Sequence, residues 1–266
     1  MTTQPTAAEA NRIFYRDEAM AYEATEECVR GEAYQRRLRE ALDDTLTRLG
    51  PQPRVLDACG GTGNVGVALH ERGITPVVVD LSAEMTAIWR AKAERLGVAA
   101  EIHEAHIEDY LRDDSRTWDL ITFSSALHHL EDFAGVLIAA AAKLAPGGML
   151  FTMFDPTLSD RRIRVLRRLD FVIWLARTRP SRFVELLVGA VRRAVRPPQG
   201  AHIGRMAERY AYSGIDDEAL VAVMRSHGLE VIVHERYYDA RAGLFRFLLR
   251  RMDRPSSFRL LLRRPA

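Results

Sequence analysis

The chain has 266 residues, 47% of them hydrophobic, with 38 basic residues set against 36 acidic ones. That is ample apolar material for one packed α/β domain with additions, and the near-balance excludes a uniformly basic nucleic-acid binder. No apolar run approaches the roughly 20 residues needed to span a bilayer, and the polar N-terminal stretch does not read as a signal peptide. Two cysteines, Cys28 and Cys59, are present, and Cys59 sits in a glycine-rich turn, so a reducing cytoplasm is expected. Residues 158–206 hold twelve arginines against three acids, a net +9 on a body that otherwise sums to −7. Lys92 and Lys143 are the only lysines, and the wealth of Arg and Ala suits a GC-rich bacterial genome.

Residues 8–49 are predicted helical, with Leu38, Ala41, Leu42, Thr45, Leu46 and Leu49 at helical spacing. Gly50-Pro51-Gln52-Pro53 stops that helix. RVLDA then reads as a strand running into a glycine cluster, VGVALHERG as a helix and ITPVVVD as a second strand. SAEMTAIWRAKAERLG is a helix with Ser82 as its N-cap and Gly97 as its stop. AAEIHEAH, WDLITFSSA and MLFTMFD continue as strands three to five, with a helix around FAGVLIAAAAKLA before the last. Strands alternating with helices imply parallel βαβ units with right-handed crossovers.

The alternation halts after Asp155-Pro156. Residues 159–178 and 181–196 read as two basic amphipathic helices. The first places Val165, Leu166, Leu169, Val172, Ile173 and Ala176 on one stripe; the second places Phe183, Leu186, Leu187, Ala190 and Val191 on another. DDEALVAVMRSHG resumes as a helix, and LEVIVHERYY and GLFRFLLRR read as two strands forming an antiparallel edge hairpin.

The run from Val55 to Asn64, VLDACGGTGN, carries the strongest chemical signal. A glycine-rich turn between strand and helix lets backbone approach a nucleotide-sized ligand. Asp80 ends the next strand about 20 residues on, where dinucleotide-binding folds place the acid that takes the ribose hydroxyls. VLDACGGTGNVG, VVVDLSAEM, WDLITFSSALHHLED and KLAPGGMLF, in that order, resemble the motifs of class I S-adenosylmethionine-dependent methyltransferases.

The resemblance implies a Rossmann-like, seven-stranded, mostly parallel sheet. Helices cover both faces, the last strand pair is antiparallel, N-terminal helices precede the sheet and a helical insert interrupts it. The implied division is a cap over 1–49, a core over 50–156 and 213–252, and a basic lid over 157–212. It implies S-adenosylmethionine as the cofactor, leaving as S-adenosylhomocysteine. Asp57 would hold the glycine loop, with Ala58, Cys59 and Gly61 packing along the methionyl-ribose part and Asp80 binding the ribose. Leu81 and Met85 would flank the adenine, and His106 and Ile107 would meet its edge, although the family usually carries Asp where His106 stands. Ser124 would meet the methionine amine, and Tyr22 would close over the methionine.

Methyl transfer from a sulfonium is an in-line displacement that asks mainly for positioning. A protic acceptor also needs a base, and His128, His129 and Asp155 stand near the strand ends where the acceptor is expected. The eight histidines are otherwise scattered, and no metal site is expected. A small or medium organic acceptor, apolar or aromatic, with O, N or C as the methylated atom, is the expected partner. The Arg-rich insert leaves three uses open: a lid, contact with an anionic membrane, or contact with RNA, which would make the chain an RNA or tRNA methyltransferase. A non-catalytic cofactor-binding protein is the remaining alternative.

Overall fold

In the computed structural model the described residues are 6–158, 161–178, 180, 181, 183, 184, 214–239 and 243–266. Three helices come first, α1 (Ala7–Thr25), α2 (Glu27–Arg30) and α3 (Glu32–Leu46). The core then runs β1 (Val55–Ala58), α4 (Asn64–His70), β2 (Val77–Asp80), α5 (Ala83–Leu96), β3 (Ile102–Glu104) and α6 (Ile107–Asp113). It continues through β4 (Trp118–Ser124), a 3-10 turn (Leu127–His129), α7 (Phe133–Ala142) and β5 (Leu144–Pro156). After α8 (Arg161–Thr178) come α9 (Asp217–Ser226), β6 (Glu230–Tyr237), α10 (Gly243–Arg251) and β7 (Ser257–Arg263).

The seven strands lie in the order β3-β2-β1-β4-β5-β7-β6. The first five are parallel, and β7 runs antiparallel to both β5 and β6. Successive residues of a strand point to opposite faces, so both faces need cover. Val79, Phe123, Leu150 and Leu260 pack with α6, α7 and α9 on one face. Val55, Leu120, Phe151 and Leu261 pack with α3 and α4 on the other. Val78 meets Trp89 of α5.

The local signals hold where chemistry is local. The Ser82 side chain accepts from the Met85 backbone N–H, and Gly97 ends α5 in the left-handed region at φ 69°. The N-terminal stretch expected to be helical divides into three helices, broken at Glu26 and Gly31.

GLFRFLLRR is not a strand: residues Gly243–Arg251 form α10, and β6 pairs instead with β7 beyond that helix. Burial explains why. Phe245 and Leu249 are buried while Phe247 is 63% exposed, so i and i+4 share a face that i+2 leaves. The last strand is SFRLLLR, which extends the core past residue 252 to Arg263 and is buried on both faces. Arg259 disguises it as a surface segment. Its guanidinium reaches Asp44 Oδ2 at 2.6 Å and the Ala41 carbonyl at 3.1 Å, beneath α3.

The stripe predicted for α8 is also displaced. Ile163, Asp170, Trp174 and Leu175 are buried, whereas Val165 and Leu169 are 47% and 48% exposed. Ile163 packs with Phe245 and Leu249 of α10. The second predicted insert helix falls, beyond residue 184, outside the described residues.

Candidate functional site

A cavity of about 370 Å³ opens at the carboxyl ends of β1, β2 and β4, beneath α1. Open α/β sheets bind ligands at this end, and the volume lies in the range of small-molecule sites.

The glycine loop forms its floor. Asp57, the penultimate residue of β1, is almost wholly buried, and Thr122 donates to its Oδ1 at 2.8 Å. Burial pushes its carboxyl up to about 7, Thr122 opposes that, and the charge of Asp80 adds to it. Oδ2 has no partner, nor does the buried Thr62 hydroxyl close by. Gly63 turns the chain into α4 at φ 80°, and a Cβ there would stand 2.0 Å from the Trp89 ring. Glycine at this position is therefore required twice, by backbone and by packing. Cys59 adopts the left-handed region without being glycine, at φ 55°. Burial drives its thiol well above the ordinary range, so it offers no thiolate nucleophile.

Asp80 joins floor to wall. Its Oδ2 accepts the Gly61 N–H at 2.8 Å and its Oδ1 accepts the Ser82 N–H at 2.9 Å. Burial raises its pKa, while N–H bonds from Ser82, Gly61 and Leu81 pull it down. Three N–H bonds on two oxygens leave an acceptor site for a ligand hydroxyl.

Of the residues expected to hold the cofactor, Tyr22, Asp57, Cys59, Gly61, Asp80, Leu81, Met85, His106, Ile107 and Ser124 line the cavity. Ala58 does not: it is fully buried in the core. His106 is the N-cap of α6 but makes no side-chain cap. The orphaned Oδ2 of Asp57, the remaining acceptor site of Asp80 and the glycine-loop backbone fit a cationic amino-acid nucleoside such as S-adenosylmethionine.

The three candidate bases separate. Asp155 does not face the mouth: it is fully buried, because β5 carries a bulge between Met153 and Asp155 and Phe154 takes φ 66°. Its Oδ1 accepts the His128 backbone N–H at 3.1 Å and lies 2.8 Å from His128 Nδ1. Burial pushes this carboxyl to about 7 against N–H bonds from Ala126, Leu127 and His128. Neither Asp155 nor His128 lines the cavity, whereas His129 does. The His129 and His128 rings lie 4.0 Å apart, so the buried carboxylate seats one imidazole behind the other.

The roof holds what sequence reading left unassigned. Tyr15 of α1 places its hydroxyl 3.1 Å from His129 Nε2 and packs edge-on against Tyr22. Asn11 donates to the His129 carbonyl at 3.2 Å. Lys92 of α5 pairs with Glu23 of α1 at 2.8 Å and donates to the Thr62 carbonyl at 2.8 Å, joining roof to glycine loop. A signal for Lys92 was present in its rarity: in a chain that uses Arg almost everywhere, a lysine marks a place wanting one compact ammonium. Nothing local could have paired Tyr15 with His129. Among the described insert residues none lines the cavity.

A family model for the methyltransferase domain matches residues 31–236. The chain belongs to that methyltransferase family, of the S-adenosylmethionine-dependent class with a Rossmann-like sheet. It is 36% identical over 128 residues to the tRNA 5-carboxymethoxyuridine methyltransferase of Escherichia coli K12, covering 47% of this chain and 49% of that protein. It is 29% identical over 111 residues to the ubiquinone biosynthesis O-methyltransferase of Xanthomonas axonopodis, covering 41% and 46%. The matches thus span about half the length of these curated relatives.

The magnesium protoporphyrin IX methyltransferase of Synechocystis PCC 6803, solved with S-adenosylmethionine, superposes with TM-score 0.61 over 99% of this chain and 100% of that one, at 11% identity. The [4+2]-cyclase SpnF superposes with TM-score 0.63 over 98% of each chain, at 13% identity. These last likenesses concern the fold, which hosts unlike reactions.

Proposed function

We propose that the protein transfers the methyl group of S-adenosylmethionine to a small or medium organic acceptor, apolar or aromatic, that bears a protic nucleophile. The observation that carries this reading is the charge of the cavity wall. Asp57, Asp80, Glu108 and Glu131 line it, and Arg12 is the one arginine on the described wall, tied to Glu104 at 3.3 Å. An acidic, enclosed wall suits a sulfonium and an ammonium; it does not suit the phosphate backbone of a polynucleotide.

When bound, the cofactor supplies an already activated methyl group. The chain's own task is then to hold, orient and exclude water. Asp80 takes the ribose hydroxyls, Asp57 and the loop backbone take the methionine part, and Tyr22 closes above it. Acceptor deprotonation falls to Tyr15 and His129. The acceptor's proton passes to the Tyr15 oxygen as the Tyr15 proton moves to His129 Nε2. Asp155 acts at one remove, by seating His128 against His129.

The test is S-adenosylhomocysteine release from S-adenosylmethionine in the presence of hydroxylated aromatic, carboxylic and amine acceptors, with bulk tRNA as a parallel arm. Release with an organic acceptor supports the reading, and release only with tRNA replaces it with the RNA alternative. Tight cofactor binding with no release in any arm leaves a binding protein.

A further inference from the structure

The two helices at the far side of the sheet carry a pattern that methyl transfer does not use. On α10, Phe247 is 63% exposed, and Arg250 and Arg251, both exposed, follow it at i+3 and i+4 on the same helix face. On α8, Val165 is 47% and Leu169 48% exposed, with exposed Arg168 on that same face. The helices pack on each other through Ile163, Phe245 and Leu249, so these apolar side chains are not what joins them. Leu158 and Met252, 59% and 41% exposed, stand where the chain enters α8 and leaves α10. Among the described residues Asp170 is buried, and exposed Asp253, which accepts the Tyr238 hydroxyl at 2.6 Å, offsets one of the charges and leaves the face net positive.

Topology places this pair at the cavity's end of the molecule. α8 follows the end of β5, and α10 joins the end of β6 to the start of β7. Pro156 and Tyr237 both lie in register with Ser257. β5 and β6 point the same way as β1, β2 and β4, whose ends open on the cavity.

We propose that the α8–α10 face is a docking surface for an anionic lipid bilayer. Isolated surface apolar residues are ordinary, but here they alternate with arginines on two adjoining helix faces. Such a face sinks its apolar side chains to the headgroup boundary while guanidinium groups stay among lipid phosphates. RNA is the poorer occupant. Its phosphates would satisfy the arginines, but Val165, Leu169 and Met252 offer no ring for a base, and Phe247 is the single exposed aromatic of the pair. A bilayer seated here lies at the same end of the sheet as the cavity, so an apolar acceptor dissolved in lipid reaches the site from the membrane. That last step rests on the methyl-transfer reading; lipid docking stands without it.

The experiment is co-sedimentation of the full chain with vesicles of phosphatidylcholine alone or with 30% phosphatidylglycerol. The expected result is binding to the phosphatidylglycerol vesicles that falls with salt. Arg250→Gln/Arg251→Gln should lower the partition coefficient about five-fold for each charge removed. Phe247→Ser should lower it several-fold while S-adenosylhomocysteine binding, measured by calorimetry, stays unchanged and so reports a folded chain. If the chain does not bind phosphatidylglycerol vesicles, the proposal fails. Binding that these variants leave undiminished also overturns it, because the contact then lies elsewhere. Binding to an RNA oligomer that the same variants abolish, without vesicle binding, assigns the face to nucleic acid instead.

Discussion

The Tyr15 hydroxyl lies 3.1 Å from Nε2 of His129, a contact that closes 114 residues of chain and joins the roof helix to the loop after the fourth strand. Both residues line the cavity, and in the proposed reading this pair receives the acceptor's proton.

Tyr15→Phe should lower turnover of a protic acceptor by roughly 100-fold or more while S-adenosylhomocysteine affinity, measured by calorimetry, stays unchanged. His129→Asn should cost as much, and the double variant little more than either alone, because the two act as a unit. Additive losses would mean that the residues serve separate purposes. Normal turnover in Tyr15→Phe would return the contact to a packing role.

Asp80→Asn should weaken S-adenosylhomocysteine binding by about 1.5–3 kcal/mol, the usual worth of hydrogen bonds to a charged acceptor. The side chain keeps its shape and an oxygen, so the fold should persist. Unchanged affinity in titration calorimetry would remove Asp80 from the cofactor site.

Asp155 should make the protein less stable as the pH rises. Burial lifts its carboxyl to about 7, above the roughly 3.9 of an unfolded aspartate. A raised folded pKa means that the native state favours the protonated form. Its stabilising contribution is complete below pH 4 and is lost as pH climbs through about 7. The slope from this one group is at most about 1.4 kcal/mol per pH unit. Asp57 is shifted to the same value by the same cause and adds in the same direction. Asp155→Asn should therefore flatten, without abolishing, the fall in urea-unfolding free energy between pH 5 and pH 8. An identical slope in the variant would show that the carboxyl is ionised throughout.

Gly63→Ala and Gly61→Ala separate packing from backbone strain. Both glycines have positive φ, but a Cβ at Gly63 would stand 2.0 Å from Trp89, whereas at Gly61 nothing lies within 4 Å. Gly61→Ala should cost about 1–2 kcal/mol, the price of a left-handed alanine. Gly63→Ala should cost clearly more and shift the Trp89 fluorescence. Equal thermal destabilisation would mean that Trp89 moves aside freely.

The βα rhythm, the glycine loop and the approximate place of Asp80 were legible in the sequence. Each depends on the conformational preferences of a few adjacent residues: glycine where φ is positive, β-branched runs for buried strands, a serine at a helix start. The same local rules misread GLFRFLLRR and missed SFRLLLR. A short apolar stretch with interspersed arginines satisfies strand and helix alike, and the choice came from which side chains found a surface to bury against. Phe245 and Leu249 found α8, and Arg259 found Asp44. The tertiary fold alone decided that Asp155 is buried while His129 lines the cavity. It also decided that Tyr15 and Lys92 bind the roof to the site. Those relations join residues tens of positions apart, and their energies exist only once the sheet has brought the strand ends together beneath α1.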